Sequence, residues 1–252
     1  MKTILSLFSI FFLFYSCTGY RREKQPSTDN GNPTAEAQSS SEISDTTANY
    51  WFYDNLVVAE TKPIMNDTII DASYSFEEAI AATKAPQDII DQLTLFDVVY
   101  LSTDGQVHRG QILSNKEIAE DIRKIFQFML DKEFVIEKAI PIVKYDWSDS
   151  LSMDDNNSYS FCYRDITYSK HATGMAIDIN PRFNPLRWKR EERPNKPEGA
   201  VSDTMVNGTL YPGHPVVEEF RRLGFRWGHS FTKFYDDHHF EKNAQSPLSR
   251  FR

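Results

Sequence analysis

Two segments of this chain carry residue types that bind a metal ion and activate water. Residues 169–178 read Ser-Lys-His-Ala-Thr-Gly-Met-Ala-Ile-Asp, and residues 236–241 read Asp-Asp-His-His-Phe-Glu. Neutral imidazole and carboxylate are ligands that suit Zn²⁺, and three protein ligands leave a fourth tetrahedral position for a water molecule. We therefore predict a catalytic zinc site formed by His171, Asp178 and His239, with that water as the nucleophile.

A short strand over residues 174–180 would explain how the first segment presents its carboxylate. Period-two alternation gives this strand an apolar face and a face that carries Asp178 beside a small alanine. The predicted apolar face consists of Met175, Ile177 and Ile179, and the other face of Ala176, Asp178 and Asn180. Gly174 permits a sharp turn between His171 and this strand, so two ligands seven positions apart can converge on one ion.

The second segment offers two carboxylates for the role of general base. The base must reach the reacting water, so it should lie close to the last ligand, His239. Strand alternation would set Asp237, His239 and Glu241 on one side and His238 and Phe240 on the other, which favours Asp237 as the base. A helical or turn geometry before the strand would instead favour Asp236, and the spacing alone leaves both open.

Each of these residues taken alone also fits an ordinary polar position, such as a histidine pair in an exposed hairpin or an aspartate in a turn. Isolated histidines are common and most are not metal ligands. The joint pattern of two segments favours a metal site over that interpretation.

The motif resembles the peptidase M15 metallopeptidases, which include bacterial D-alanyl-D-alanine carboxypeptidases and related peptidoglycan endopeptidases. Residues 169–178 match every specified position of the pattern Ser-x-His-x-x-Gly-x-Ala-x-Asp, and residues 236–239 place a carboxylate three positions before a histidine. The resemblance covers about residues 95–242. It departs from the family at residues 227–231, where Trp-Gly-His-Ser-Phe stands in place of Trp-Gly-Gly-x-Trp.

The resemblance implies specific roles for several side chains. It implies the same three zinc ligands, with Asp236 and not Asp237 as the catalytic base. It also implies that Arg164 binds a substrate carboxylate or the developing oxyanion, for which a planar, always charged guanidinium is suited, and that Ser169 lies at the substrate site. The implied fold is α+β, a single domain with a small antiparallel sheet flanked by helices, like that of hedgehog-type and DD-peptidase zinc domains.

The implied activity is zinc-dependent hydrolysis of amide bonds in peptidoglycan stem peptides during cell-wall remodelling, in the manner of a D-Ala-D-Ala carboxypeptidase. One alternative is an endopeptidase of the L-Ala-D-Glu type that cuts within the stem peptide. Another is a catalytically silent wall-binding lipoprotein. Intact ligands together with Asp236 favour an enzyme, because a binding module needs no base beside its zinc.

The N-terminus predicts export and membrane attachment. Residues 1–17 combine a short basic start with an apolar run too brief to span a membrane comfortably, which is typical of a signal peptide. Its end at Ser16-Cys17 resembles a lipobox, which implies a lipid anchor on Cys17; the alternative is a secretory signal cut after Cys17. Residues 18–49 are polar and predict a disordered tether with a reach on the order of 30 Å. We expect a lipoprotein of the bacterial envelope, periplasmic or in the outer membrane, that faces the peptidoglycan.

The remaining residues, 50–252, are enough for one domain with a substantial core, and we expect a monomer. The net charge of −8 and the lack of a basic stripe argue against a nucleic-acid partner. With Cys17 lipidated, Cys162 has no intramolecular partner, so we predict a buried structural thiol in a strand. The mixed-sign run over residues 187–193 predicts a solvated loop.

The predicted elements alternate between strands and helices, which favours an α+β class with an antiparallel sheet. Asp104-Gly105 is a strong hairpin signal between strands at 97–103 and 106–113. The others are helices at 73–92 interrupted at Pro86, an amphipathic helix at 115–130 capped by Ser114 or Asn115, a strand at 134–143 and a helix at 215–224. The long segment 181–213 links the two ligand segments and predicts a rim of the substrate cleft.

Overall fold

The computed structural model of the chain describes residues 68–166 and 168–243. The predicted signal peptide with Cys17, the tether at 18–49 and the predicted domain start at residue 50 lie outside the described residues. Among the described residues, no helix combines the length and the apolar character that crossing a membrane requires.

A long β-hairpin forms one side of the described part. Strands β2 (Leu93–Leu101) and β3 (Val107–Asn115) pair antiparallel along their whole length. The predicted turn at Asp104-Gly105 is confirmed, and Gly105 adopts φ 78°, a left-handed conformation that glycine enters without steric cost. The short strand β1 (Ile69–Ile70) adds to β3 in parallel.

Helix α3 (Lys116–Asp131) follows the hairpin directly and confirms the predicted amphipathic helix. The side chain of Asn115 accepts a hydrogen bond from the backbone N–H of Glu117 at 2.9 Å, which is the N-cap that the sequence predicts. The buried face of α3 repeats at three and four positions. It consists of Ile118, Ala119, Ile122, Ile125, Phe126 and Met129.

The region before the hairpin contains two single-turn helices rather than one continuous helix. Helix α1 (Phe76–Ala79) begins with a capping box between Ser75 and Glu78. Helix α2 (Gln87–Ile90) starts directly after Pro86. The predicted interruption at this proline is therefore confirmed.

The strand predicted over residues 134–143 is wrong. Only β4 (Lys138–Ala139) is a strand there, paired in parallel with β5 (Asn157–Ser158), and a 3₁₀ helix follows at Ile142–Tyr145. Pro141 has no N–H to donate to a ladder. The N–H of Ile140 donates instead to the side chain of Asn157 at 2.8 Å, so pairing stops.

A second sheet carries the residues of interest. It has the order β6 (Ala176–Asp178), β10 (His239–Glu241) and β8 (Arg226–Trp227), with both pairs antiparallel. The residues predicted for the apolar face of β6 and its flanks are all buried in the main core: Met175, Ile177 and Ile179. Strand β6 is shorter than the predicted strand at 174–180, because Gly174 at one end and Asn180 at the other have positive φ values, 66° and 44°, and leave the extended conformation.

Helix α5 (Pro215–Arg222) packs behind this sheet and confirms the predicted helix. His214 caps its N-terminus by accepting from the N–H of Val216, and Gly224 at φ 86° follows its end. Phe220 of α5 stacks on Phe240 of β10 with ring centroids 3.7 Å apart. The helix therefore holds the strand that carries His239 against the core.

The described architecture is α+β, with several small sheets and few helices. A further two-stranded sheet, β7 (Leu186–Trp188) with β9 (Phe234–Asp236), and the short helix α4 (Asp149–Asp154) lie around the candidate site. Most strand pairs are antiparallel, as predicted, whereas the pairs of β1 with β3 and of β4 with β5 are parallel. The more specific DD-peptidase-like fold stays a prediction.

Candidate active site

The three predicted zinc ligands meet in one buried cluster. The Nδ1 atom of His239 lies 3.0 Å from Oδ1 of Asp178 and 3.0 Å from Nε2 of His171. Nε2 of His171 lies 3.1 Å from the same Asp178 oxygen. Each residue thus turns one ligand-type atom towards a common point, and these atoms all lie within 4.8 Å of one another.

His171 reaches this point from a 3₁₀ helix, Lys170–Thr173, that ends at Gly174. Gly174 adopts φ 66°, and a Cβ atom there would lie 2.7 Å from the backbone nitrogen of Asn115. The turn predicted at this glycine is confirmed, and the close approach of Asn115 explains why a larger residue would not fit. The turn brings His171 back over β6 towards Asp178.

The second ring nitrogen of each histidine is also held. Nδ1 of His171 lies 2.6 Å from the carbonyl oxygen of Ser160, and a carbonyl only accepts, so Nδ1 carries the proton and Nε2 offers its lone pair. Nε2 of His239 lies 3.4 Å from Oε2 of Glu241, which is in turn paired with Arg226. A carbonyl or carboxylate partner of this kind orients a metal-binding imidazole.

The electrostatics of the cluster favour a bound cation. Burial raises the pKa of Asp178, but the nearby His171 and His238 lower it by more, so the net pKa is well below its usual range. Burial lowers the pKa of His239, yet contacts with Asp178 and Glu241 raise it to about 10. A buried cluster with two imidazoles and one carboxylate that attracts positive charge fits Zn²⁺ in both ligand type and number.

Asp236 and Asp237, the two candidate bases, lie where β9 passes into a turn. Strand β9 ends at Asp236, a turn follows, and β10 begins at His239. The side chain of Asp236 lines a cavity together with the metal cluster. Its buried Oδ1 lies 2.9 Å from Nε2 of His238 and makes no hydrogen bond to any other described residue.

Asp237 has a different environment. Strand alternation predicted it on the same side as His239, and this is wrong because Asp237 lies in the turn, where alternation does not hold. Its carboxylate is 2 % exposed and contacts Nη2 of Arg187 at 2.6 Å and Nδ1 of His229 at 2.6 Å. Both carboxylate oxygens of Asp237 therefore have partners. Arg187 holds the turn between β9 and β10 through this contact, so it is not part of the predicted solvated loop.

His238 belongs to the site, although the alternation argument put it on the opposite face. Its Nε2 lies 2.9 Å from Oδ1 of Asp236 and 3.9 Å from Oδ2 of Asp178. Burial lowers the pKa of His238, but the carboxylates of Asp236 and Asp178 raise it to about 9. The two adjacent histidines before Phe240 were the only sequence signal for this residue.

Arg164 lies in the cavity wall, and its guanidinium is held by two partners. Nη2 lies 2.8 Å from Oδ2 of Asp149, the first residue of α4, and donates to the hydroxyl of Tyr159 at 3.1 Å. Burial lowers the pKa of Arg164, but Tyr159 and Asp149 raise it above its ordinary value, so the group stays charged. Ser169 lines the same cavity. No sequence motif predicted the contact of Arg164 with Asp149.

The cavity has a volume of about 940 Å³, and the side chains of His171, Asp178 and His239 line it together with Asp236, His238 and Arg164. Segment 181–213 supplies part of its wall, including Leu186, Trp188 and Lys196, and its role as the rim of a substrate cleft stays a prediction. That segment is not without regular structure, because β7 lies within it and pairs with β9. A cleft of this size accommodates several residues of a peptide.

Cys162 lies outside this cavity and is a free, buried thiol. Burial raises its pKa, which disfavours the nucleophilic thiolate. The predicted structural role is consistent with this environment. The strand predicted around it is wrong, since β5 ends at Ser158 and residues 161–164 have no regular structure.

A family model described as D-alanyl-D-alanine carboxypeptidase matches residues 164–242 of the chain. The matched range starts later than the resemblance at 95–242, but it begins at Arg164 and contains both ligand segments with Asp236. No curated protein and no solved structure matches the chain. Residues 164–242 are thus similar to the peptidase M15 family.

Proposed function

We propose that this protein is a zinc-dependent peptidase that hydrolyses an amide bond in peptidoglycan stem peptides, acting as a D-Ala-D-Ala carboxypeptidase. One observation carries the proposal. The converging atoms of His171, Asp178 and His239 share a cavity with the carboxylate of Asp236, whose Oδ1 has no partner among the described residues other than His238. A metal-binding module without activity has no need of such an acceptor, which argues against a silent wall-binding protein.

The residues divide the chemistry between them. Zinc bound to His171, Asp178 and His239 would supply a Lewis acid and lower the pKa of water at the open position. Asp236 would accept the proton of the attacking water and pass it to the leaving amine nitrogen. Arg164 would stabilise negative charge on the oxygen of the tetrahedral intermediate, or bind the terminal carboxylate of the substrate.

A second candidate is an endopeptidase of the L-Ala-D-Glu type, and one contact favours it. Asp149 already occupies the Nη2 atom of Arg164 at 2.8 Å. This pairing neutralises part of the charge that a terminal carboxylate would need. An endopeptidase would use Arg164 at the oxyanion alone.

Digestion of defined stem peptides tests the proposal and separates the two candidates. The zinc-loaded chain should release D-Ala from a pentapeptide ending in D-Ala-D-Ala, as read by mass spectrometry, and Asp236→Asn should not. Amidation of the substrate C-terminus should slow a carboxypeptidase strongly. Equal rates on free and amidated substrate would favour the endopeptidase, and no cleavage of any stem peptide would contradict the proposed function.

We propose further that Cys17 is acylated and holds the enzyme at a membrane of the bacterial envelope, where it faces the peptidoglycan. The lipobox-like end of residues 1–17 and the polar segment after it support this. Cys17→Ser should abolish labelling by a fatty-acid analogue and release the protein from membranes. Unchanged labelling of the variant would contradict the anchor.

A further inference from the structure

The imidazole of His238 connects a rigid part of the fold to the carboxylate of Asp236. We propose that His238 is a positioning residue that fixes the orientation of the Asp236 carboxylate towards the metal cluster through its Nε2 atom. The inference rests on the proposed function, because it takes Asp236 as the base. It concerns a residue that lies next to a ligand in sequence but is not one of the three clustered ligand residues.

One end of the ring is attached to a well-held loop. Nδ1 of His238 lies 2.8 Å from the carbonyl oxygen of Asn184 and donates to it, since a carbonyl only accepts. Asn184 is fully buried, and its side chain bonds four backbone groups. They are the carbonyls of Ile179, Asn180 and Gly208 and the N–H of Leu210. The ring therefore cannot turn without breaking a bond to a rigid anchor.

The backbone of His238 is fixed as well. Its carbonyl accepts from the N–H of Ile179 at 2.9 Å, next to the ligand Asp178. The residue is 4 % exposed, so little of the ring is in contact with solvent. Hydrogen bonds thus fix both the backbone of His238 and the orientation of its imidazole ring.

The other end of the ring meets the proposed base. Nε2 lies 2.9 Å from Oδ1 of Asp236, and that oxygen makes no hydrogen bond to any other described residue. Asp236 is the last residue of β9, where a carboxylate without a partner can rotate about two side-chain bonds. Without His238, Oδ1 of Asp236 would have no donor among the described residues to select the productive orientation of the carboxylate. Active-site groups need such supporting contacts to hold their geometry.

Two substitutions separate this role from simple packing. In His238→Asn the amide can reach the Nδ1 position and keep the bond to Asn184, but nothing reaches Asp236. In His238→Gln the longer amide can reach the Nε2 position and donate to Asp236. We expect His238→Asn to lower kcat by about 10-fold to 100-fold with KM within about 2-fold, the range found for supporting partners of a site. His238→Gln should lose clearly less.

A double-mutant cycle tests whether His238 acts through Asp236. In the Asp236→Asn background, His238→Asn should lower kcat no further, because the group that it positions has already been removed. Zinc content should remain one ion per chain in every variant. The matched control is His214→Asn, which lies outside the cavity and can keep its cap to Val216 through the same amide position; its kcat should equal that of the wild type.

Several results would overturn the inference. Equal losses in His238→Asn and His238→Gln would indicate packing alone, and additive losses with Asp236→Asn would indicate a role independent of the base. Loss of zinc in His238→Asn would make the ring part of the metal site. All of these can be observed only if the wild type cleaves a stem peptide, so an inactive wild type contradicts the proposed function and is distinguishable from a failure of the His238 inference.

Discussion

Asp178 and His239 are direct partners on neighbouring antiparallel strands, and this register brings Oδ1 of one residue to 3.0 Å from Nδ1 of the other. The ligand pair is therefore set by strand pairing and not by loop conformation. A slip of one residue in either strand would turn its ligand to the opposite face. Only His171 comes from outside this ladder, through the turn that ends at Gly174.

The environments of Asp236 and Asp237 predict opposite effects of the same substitution. Asp236→Asn should keep the zinc ion and the melting temperature but lower turnover by about 10²-fold or more, the lower range for removing a general base. Turnover on a stem peptide, zinc content by elemental analysis and thermal unfolding give the three readouts.

Asp237→Asn is the matched control. It removes the buried negative charge that contacts Arg187 and His229, so it should lower the free energy of unfolding by about 1–3 kcal/mol, the range for losing a charge-assisted hydrogen-bond acceptor. The loss stays below that of a fully buried ion pair, because Arg187 is partly exposed to solvent. Its turnover per folded molecule should fall by less than about 10-fold. If Asp237→Asn lost activity with normal stability while Asp236→Asn remained active, Asp237 would be the base.

Arg164→Lys should impair cleavage much more than folding. Lysine keeps the positive charge but cannot present a planar pair of donors, and it cannot contact Asp149 and Tyr159 through one fork. We expect kcat/KM to fall by about 10²-fold, comparable to the loss of one oxyanion donor. Steady-state kinetics beside thermal unfolding would check this, and a variant with wild-type kcat/KM would remove Arg164 from the site.

Gly228→Ala should damage the site through the backbone. A Cβ atom at this position would lie 2.6 Å from the carbonyl oxygen of Asp236, 2.8 Å from the Cβ of Asp236 and 3.2 Å from the Cβ of His239. The added methyl group must displace the segment from β9 to β10, which carries both the proposed base and a proposed ligand. Zinc affinity and turnover should both fall. Gly199→Ala has open space around its Cβ position but a left-handed backbone at φ 74°, so it should cost some stability and leave zinc affinity and turnover unchanged.

The pair of His108 with Asp71 predicts a pH-dependent stability far from the metal cluster in sequence. Nδ1 of His108 lies 2.9 Å from Asp71, and Nε2 lies 3.1 Å from Asp104. Burial lowers the pKa of His108, but hydrogen bonds to Asp71 and Asp104 raise it more, so the net pKa is above its ordinary value. The contribution to stability is complete below the unfolded pKa of about 6.5 and is lost as the pH rises through the higher folded pKa.

His108→Gln should therefore lower the melting temperature more at pH 5.5 than at pH 9. The difference at the lower pH should be on the order of 5 °C, as expected for a charge-assisted hydrogen bond in a domain of this size. Thermal unfolding across this pH range provides the measurement, with a substitution of the exposed Lys124 as control. A difference that is the same at both pH values would show that His108 is neutral in the folded protein.

The regular elements with a clear period or punctuation could be predicted from the sequence. Helix α3, the β2–β3 hairpin and helix α5 each have an apolar period or a glycine, proline or cap that marks an end. The strand at 134–143 could not be excluded, because what stops it is the contact of Ile140 with the distant side chain of Asn157. Such a contact has no local sequence signal.

The cluster of His171, Asp178 and His239 was predictable, because these residues lie in two short motifs. The side chains that contact Arg164 and Asp236 were not predictable. Asp149 lies before the matched segment and reaches Arg164 only through the packing of α4. His238 was assigned to the wrong face, since alternation was applied across residues that form a turn. Strand alternation does not predict side-chain directions in a turn, and here the turn lies between Asp236, the proposed base, and His239, a proposed ligand.

The most direct test of the account is the dependence of stem-peptide hydrolysis on zinc held by the three clustered residues. The purified chain should contain one zinc ion, lose hydrolysis after treatment with a chelator and recover it when zinc is added back. His171→Ala and His239→Ala should bind little zinc and show no recovery, whereas His214→Ala, outside the cavity, should recover like the wild type. Full hydrolysis in the chelated wild type, or full zinc content in both ligand variants, would contradict the central claim.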